Sequence, residues 1–252
     1  MIRHTHNELV YYTFDSLSVR HGVFTRLGGV SEGMWSSLNL SHSTGDDIDS
    51  VRENRRRMYD AMNATHALTS WLIHSNRVRV VSNADLGQDD IHADAMVTNT
   101  RGLALTLRFA DCVPVLFHDP QREAIGVAHA GWQGIVNGVL PATVQSMRDT
   151  FGCELREIVA CIGPSIGPEK FEVGEDVAAK IQGAVSENVI IKNGNPKPYV
   201  DLWRSARSQL FDAGLRQIEI GGLCTASDTS EWFSHRAEKG KTGRFGVLAA
   251  LD

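Results

Sequence analysis

Asp111-Cys112 places a thiol beside a carboxylate, immediately before the apolar run Val113-Pro-Val-Leu-Phe117, and His129 closes a second apolar run that begins at Ala124. Two strands joined by a turn would bring the ends carrying Cys112 and His129 together. A cysteine and a histidine held side by side make either a metal site or a nucleophile–base pair. His74, 38 residues before Cys112, is the third candidate. It falls between the apolar Trp71-Leu-Ile73 and the alternating Arg77-Val-Arg-Val-Val81, at a strand edge or turn. Two imidazoles and one thiolate suit zinc, and three protein ligands leave a fourth position open for water or substrate. The spacing matches no short metal-finger pattern, so a buried inert cysteine among ordinary histidines is the plain alternative. In the nucleophilic reading Cys112 is the thiolate, His129 its base and Asp111 an orienting or acidic partner. The ordinary reading of Asp111 is a turn residue that caps the first amides of the strand.

Anion-binding candidates surround this pair. His129-Ala-Gly-Trp-Gln-Gly134 joins a strand to a helical pattern, and its glycines would expose amides at a helix N-terminus. A plain strand-to-helix turn has the same sequence. Arg26 beside Gly28-Gly29, Arg236 in Ser234-His-Arg236 and Arg244 in Thr242-Gly-Arg244 are flanked by residues that permit tight turns. Several such arginines converging on a Cys/His pair would suit a phosphorylated or anionic ligand. These three arginines form the candidate phosphate-binding set. His4 and His6 fall in a terminus expected to fray, His118 opposes its apolar neighbours, and His92 precedes a strand; none is assigned a chemical role.

The elements that must carry these residues follow from periodicity. Short apolar or alternating runs at His21–Thr25, Arg77–Val81, Leu103–Leu107, Val113–Phe117, Ala124–Ala128, Ile158–Ile162, Gln217–Ile220 and Gly246–Ala250 predict strands. Asp46-Asp47 can cap a helix carrying Ile48, Val51, Met58 and Met62 near one face. On that helix the run Arg55-Arg56-Arg57 is expected to form a solvated face. A second helix extends from Ile135 to Phe151, with a kink or late start at Pro141. Two more lie near Glu175–Val185 and Leu202–Ala213, the latter stopped by Gly214. Strand pairs mixed with helices predict an α+β, mixed α/β fold, and no GxGxxG or GxxxxGK[ST] points to NAD or ATP.

Composition bounds the rest. The chain has 252 residues, is 42% hydrophobic and carries a formal net charge of -5. With no charge block, low-complexity tract or internal repeat, one domain over residues 1–252 is expected. The charge argues against nucleic acid or acidic membranes as partners. Met1-Ile-Arg-His-Thr-His-Asn-Glu has no secretory character, no apolar run reaches membrane-spanning length, and the four cysteines lack CxxC spacing. A cytoplasmic protein with reduced thiols, monomeric or a small homo-oligomer, is the expectation.

His21-Gly-Val-Phe-Thr-Arg-Leu-Gly-Gly-Val-Ser31, Ser37-Leu-Asn-Leu40, Asp94-Ala-Met-Val-Thr98, Ala110-Asp-Cys-Val-Pro-Val115 and His129-Ala-Gly-Trp132 together resemble the bacterial YfiH/YlmD family. That family is also known as DUF152, multicopper polyphenol oxidase-like or laccase-domain-containing. Gly163-Pro164, Cys224-Thr225, Ser234-His-Arg236 and Thr242-Gly-Arg244 extend the resemblance over almost the whole chain. It implies a single α/β/β/α layered domain with mixed sheets, the CNF/YfiH-like fold. It also implies a metal site at His74, Cys112 and His129, holding zinc or, in some members, copper. The implied activity is phosphorolysis of adenosine, inosine, guanosine and methylthioadenosine, with deamination of adenosine; nucleoside and phosphate are the implied partners. Here Cys112, His129, Asp111 and Arg26 are the catalytic candidates, Asp111 as proton carrier, and the resemblance adds Asn39 to Arg26, Arg236 and Arg244 as substrate- and phosphate-binding candidates. Three positions depart from the family pattern: Leu72-Ile-His-Ser75 replaces Gln-Val-His-Gly, Gln133 replaces an arginine, and Phe109 replaces a common threonine. The main alternative is a Cys112-nucleophile amide hydrolase acting on a peptidoglycan precursor. A copper polyphenol oxidase, which needs more histidine ligands, and a non-catalytic ligand-binding protein follow.

Overall fold

Along Leu103–Phe109 the odd-numbered side chains enter one hydrophobic core while Ala104 enters another. A strand buried on both faces belongs inside a stack of layers, and the computed structural model, which describes residues 1–88, 90–192, 194 and 196–252, has that architecture. In chain order, β1 (Ile2–His6), β2 (Leu9–Thr13) and β3 (Arg20–Phe24) precede α1 (Ile48–Ala61), β4 (His66–Thr69) and β5 (Val78–Val80). Then β6 (Ala95–Thr98), β7 (Leu103–Phe109), β8 (Val113–Asp119) and β9 (Ala124–Ala130) run into α2 (Trp132–Asn137) and α3 (Val139–Phe151). The chain continues through β10 (Val159–Ile162), α4 (Glu175–Gly183), β11 (Ile190–Ile191), β12 (Tyr199–Val200), α5 (Leu202–Asp212), β13 (Gln217–Ile220) and β14 (Phe245–Ala250).

Two six-stranded sheets result, ordered β1-β2-β3-β14-β7-β4 and β13-β10-β8-β9-β6-β5. Both are mixed: β4 with β7, β5 with β6 and β10 with β13 are parallel, and the other neighbours are antiparallel. Leu105, Leu107 and Phe245 of the first sheet meet Met96, Leu116 and Val127 of the second in a shared core. Behind the first sheet, Met58 and Met62 pack on Ala104, Leu248 and Ala250. Behind the second, Val113, Val115 and Phe117 pack on Ile135, Val144, Ile181 and Leu210 of the helices. The order of layers is helix, sheet, sheet, helices, as expected for an α/β/β/α fold.

Local chemistry sets the boundaries. Asp47 caps α1, its side chain accepting from Ser50 N at 2.8 Å. The break foreseen near Pro141 lies at Gly138, which takes a left-handed φ of 76° between α2 and α3. Pro141 itself sits in the first turn of α3, where its missing N–H costs nothing. Gly214, at φ 103°, follows α5.

Two expectations need correction. The terminus bearing His4 and His6 is strand β1, paired with β2 along its whole length, because the short runs Ile2–His6 and Leu9–Thr13 form a hairpin. The Arg55–Arg57 run is not a uniform solvated face. Arg56 is exposed, but Arg55 reaches inward to Leu40 O at 3.0 Å and Arg57 to Gly28 O at 2.9 Å. His118 lies on the face of β8 opposite Val113, Val115 and Phe117, as expected, and is buried at 5% exposure because both faces of the strand are covered.

Candidate metal centre

The antiparallel pairing of β8 and β9 sets Val113 opposite Ala130 and Pro114 opposite His129. Cys112, one residue before β8, therefore lies at the same sheet edge as His129. The bend Ala110–Cys112 carries the chain from β7 in one sheet to β8 in the other, so the thiol sits at the end of the sandwich. His74 reaches this edge from the loop joining β4 to β5. The three ligand atoms all lie within 4.8 Å of one another, and among the described residues no other trio of His, Cys, Asp or Glu is placed to share an ion. His74 is exposed, Cys112 intermediate and His129 buried, so the trio faces outward from a closed base.

Asp94 builds this arrangement. It is fully buried directly before β6, and Ala95 pairs with Ala128, which brings Asp94 beside His129. Its main-chain oxygen accepts from His129 N at 2.7 Å, and its Oδ1 meets His129 Nδ1 at 3.1 Å. The same carboxylate accepts from the amides of His74 at 2.9 Å and Ser75 at 2.7 Å, and from Ser75 Oγ at 3.0 Å. One buried side chain thus fixes one histidine ring and the loop that carries the other. With Nδ1–H directed at the carboxylate, His129 presents Nε2 to an ion. These bonds hold the Asp94 carboxyl below the usual range although burial opposes them. They also hold His74 at a positive φ of 56°.

In the metal-free trio the two histidines are perturbed in opposite directions. Burial, followed by the charge of His129, pushes the His74 imidazole down and favours its neutral, ligating form. Burial works the same way on His129, but the neighbouring Cys112 and Asp94 outweigh it and raise the imidazole to about 9. Gly131 leaves the space the trio needs: a Cβ there would sit 2.8 Å from Cys112 Sγ and 3.5 Å from His74 Nδ1. The soft S and N donors, the oriented tautomer and this tight clearance suit zinc or a similar soft ion.

The trio lines a cavity of about 670 Å³ together with Asp111, Gln133, Arg236 and Arg244. Arg26 and Asn39 are not in its wall. Arg26 donates to Ser36 O and Thr229 O, pairs with Glu238 at 3.0 Å and lies 4.4 Å over the Phe233 ring. The adjacent Gly28 and Gly29 serve packing, since Cβ atoms there would meet Glu8 O at 2.5 Å and Ser37 O at 2.1 Å. Asn39 is wholly buried and accepts from Arg244 N at 2.9 Å, so it stands behind a cavity arginine. Asp111, at φ 83°, accepts from Thr225 Oγ1 and Ser234 Oγ at 2.7 Å and from Arg236 N at 2.6 Å. Those bonds come from the loops around it, not from the first amides of the strand. They hold a left-handed backbone that Asp tolerates better than most residues.

Sequence reasoning assigned no role to Asp94, Arg108 or His235, of which Arg108 and His235 line the cavity. Asp94 carried a signal, a carboxylate placed before a buried apolar strand, as Asp111 is. Arg108 carried another, a lone cation inside Leu103–Phe109. His235 sits in a turn among exposed residues and carried none.

Residues 20–252 match the family described as multi-copper polyphenol oxidoreductase laccase. A purine nucleoside phosphorylase of Pseudomonas aeruginosa is 39% identical over 237 residues, covering 93% of this chain and 94% of that protein. The purine nucleoside phosphorylase YfiH of Escherichia coli is 37% identical over 231 residues, covering 90% and 91%. The crystal structure of YlmD from Geobacillus stearothermophilus superposes with a TM-score of 0.92 at 28% identity, covering 98% of this chain and 97% of that one. In sequence over nearly its full length and in fold, the chain belongs to this laccase-like family of YfiH and YlmD proteins.

Proposed function

We propose that this chain is a metal-dependent purine nucleoside phosphorylase whose site also deaminates adenosine. The observation that carries the reading is the convergence of His74, Cys112 and His129 on a cavity that joins cationic side chains to an apolar wall. The names of the curated relatives support the reaction class. Adenosine, inosine, guanosine and methylthioadenosine are the proposed substrates. His74, Cys112 and His129 would hold the metal, zinc in the first instance and copper as the alternative. When bound, that ion supplies Lewis-acid polarisation at an open coordination position.

The chain's own groups divide the remaining work. In phosphorolysis a phosphate oxygen bonds to the ribose C1′ as the C1′–N9 bond breaks. The bonding pair leaves with the purine, which takes up a proton. Positive charge grows at the sugar and negative charge on the base, so the two ends need different surroundings. Arg108, Arg236 and Arg244 give one part of the cavity a positive potential, while Ile166, Phe171, Val177 and Leu202 give an apolar wall for a purine, with Phe171 for stacking. Arg244 is pushed down by burial but pulled back by Cys112 and Asp111, which ties its charge to the thiol end. Asp111, its oxygens engaged by three donors, acts as a positioning residue for the Cys112 bend. His235 on the cavity wall is the proton carrier we assign in its place.

The test is chromatography of adenosine incubated with the metal-loaded protein, with and without phosphate, beside His129→Ala and Cys112→Ala. Adenine formed only with phosphate and lost in both variants, together with their bound metal, supports the assignment. Inosine in both conditions keeps the deaminase and removes the phosphorylase. A second reading has its own observation: Cys112, His129 and Asp94 also form a thiol–imidazole–carboxylate series, as in cysteine hydrolases. That amide hydrolase would tolerate His74→Ala, whereas the metal enzyme would not.

A further inference from the structure

A smaller chamber of about 240 Å³ adjoins the metal-lined cavity, and Ser41, Ser43, Trp71 and Arg108 belong to the walls of both. Arg55 enters from the inward side of α1 and Arg108 from β7, and no aspartate or glutamate lines the chamber among the described residues. Arg55 Nε donates to Leu40 O at 3.0 Å and Arg108 Nη2 to Ser70 O at 2.7 Å, which uses only part of each guanidinium. Burial first, and then the charge of Arg55, pushes Arg108 down to about 10, so it is still a cation at neutral pH. Two desolvated like charges are costly unless something neutralises them.

The N–H groups those two bonds leave over match a ligand with several acceptor oxygens. We propose that this chamber binds inorganic phosphate, held by Arg55 and Arg108, and delivers it past Arg108 to the metal-lined cavity. The binding stands on the chamber's own geometry; its role as the source of the attacking oxyanion rests on the phosphorylase reading. The arrangement also accounts for a phosphate site in a chain where Arg26 is turned away and Gln133 replaces an arginine.

Calorimetric titration of the metal-loaded protein with inorganic phosphate, without nucleoside, tests binding apart from turnover. Adenosine 5′-monophosphate is titrated separately to distinguish a free from an esterified phosphate. Arg55→Gln should weaken phosphate binding roughly tenfold to a hundredfold, the range for losing a charge-assisted hydrogen bond. Arg55→Lys, which keeps the charge and removes the planar fork, should weaken it by roughly a few-fold. Melting of each variant without phosphate checks folding, and Arg55→Lys alone carries the test if Arg55→Gln does not fold. In turnover, both variants should raise KM for phosphate and leave KM for the nucleoside within about twofold. Phosphate binding unchanged in both variants, or binding of the monophosphate alone, would overturn the proposal. Phosphorolysis with unaltered phosphate KM would remove the chamber and keep the enzyme. Variant-sensitive phosphate binding without phosphorolysis would keep the chamber and remove the enzyme.

Discussion

Asp94→Asn is nearly isosteric and removes one charge from the group that organises both histidines. In the native site Oδ1 serves His74 N and His129 Nδ1, and Oδ2 serves Ser75 N and Ser75 Oγ. An asparagine amide has one oxygen to accept with. Its NH2 group does least harm on the Ser75 side, where the hydroxyl can rotate and accept, but Ser75 N–H is then left unpaired. An unsatisfied buried donor costs about 1–3 kcal/mol, and weaker bonds to His74 and His129 add about 1 kcal/mol more. We therefore expect the metal-free protein to lose about 2–4 kcal/mol in urea unfolding. Loss of the group orienting a histidine ligand should also lower metal affinity about tenfold to a hundredfold. The affinity is read by zinc competition against a chromophoric chelator. A variant that folds with wild-type zinc affinity would refute the claim that Asp94 sets the imidazole.

Three further outcomes follow. Gly131→Ala keeps an allowed backbone, but its methyl would stand 2.8 Å from Cys112 Sγ. It should fold with a loss of about 1–3 kcal/mol yet bind zinc at least tenfold more weakly, read by the same competition. In the metal-free protein the raised His129 contributes stability that is full below about pH 6.5, its unfolded value, and is lost as pH rises through about 9. Melting temperature measured after chelation should therefore fall across that interval, and Cys112→Ala should flatten the decline. Arg26→Ala removes a largely enclosed ion pair with Glu238 and should cost about 2 kcal/mol by chemical unfolding. It should leave phosphate KM unchanged, and a rise in that KM would restore Arg26 to the site.

Much of the arrangement was legible because it is local. Continuous apolar runs disclosed strands at Leu103–Leu107, Val113–Phe117 and Ala124–Ala128, each of which the structure extends by two residues, and a short connection between the latter two was enough to bring Cys112 to His129. His74 was found by its residue type, its position between two runs and the family resemblance. The strands β1, β2 and β4 escaped because their patterns are short and half-polar; pairing with a hairpin partner or with β7 supplies what their own sequence lacks.

The arginines were legible only in part: Arg236 and Arg244 were singled out and line the cavity, Arg26 was singled out and does not, and Arg108 was given no role yet does. Arg26, Arg55, Arg108, Arg236 and Arg244 are chemically alike, and a flanking glycine does not say which way a guanidinium turns. Gly28 and Gly29 flank Arg26 because backbones pass closely there. Arg108, with no glycine beside it, reaches the cavity because its strand lies between β14 and β4 at the end of the sandwich. From the sequence alone came most of the strands, the mixed fold and the Cys112–His129 pair, all set by patterns within a few tens of residues. The tertiary structure alone decided that Asp94 serves both histidines, that Asp111 is bound by distant loops, and which cations meet across a cavity. Those facts depend on the order in which strands lie side by side, and strand order is set by packing between residues far apart in the chain.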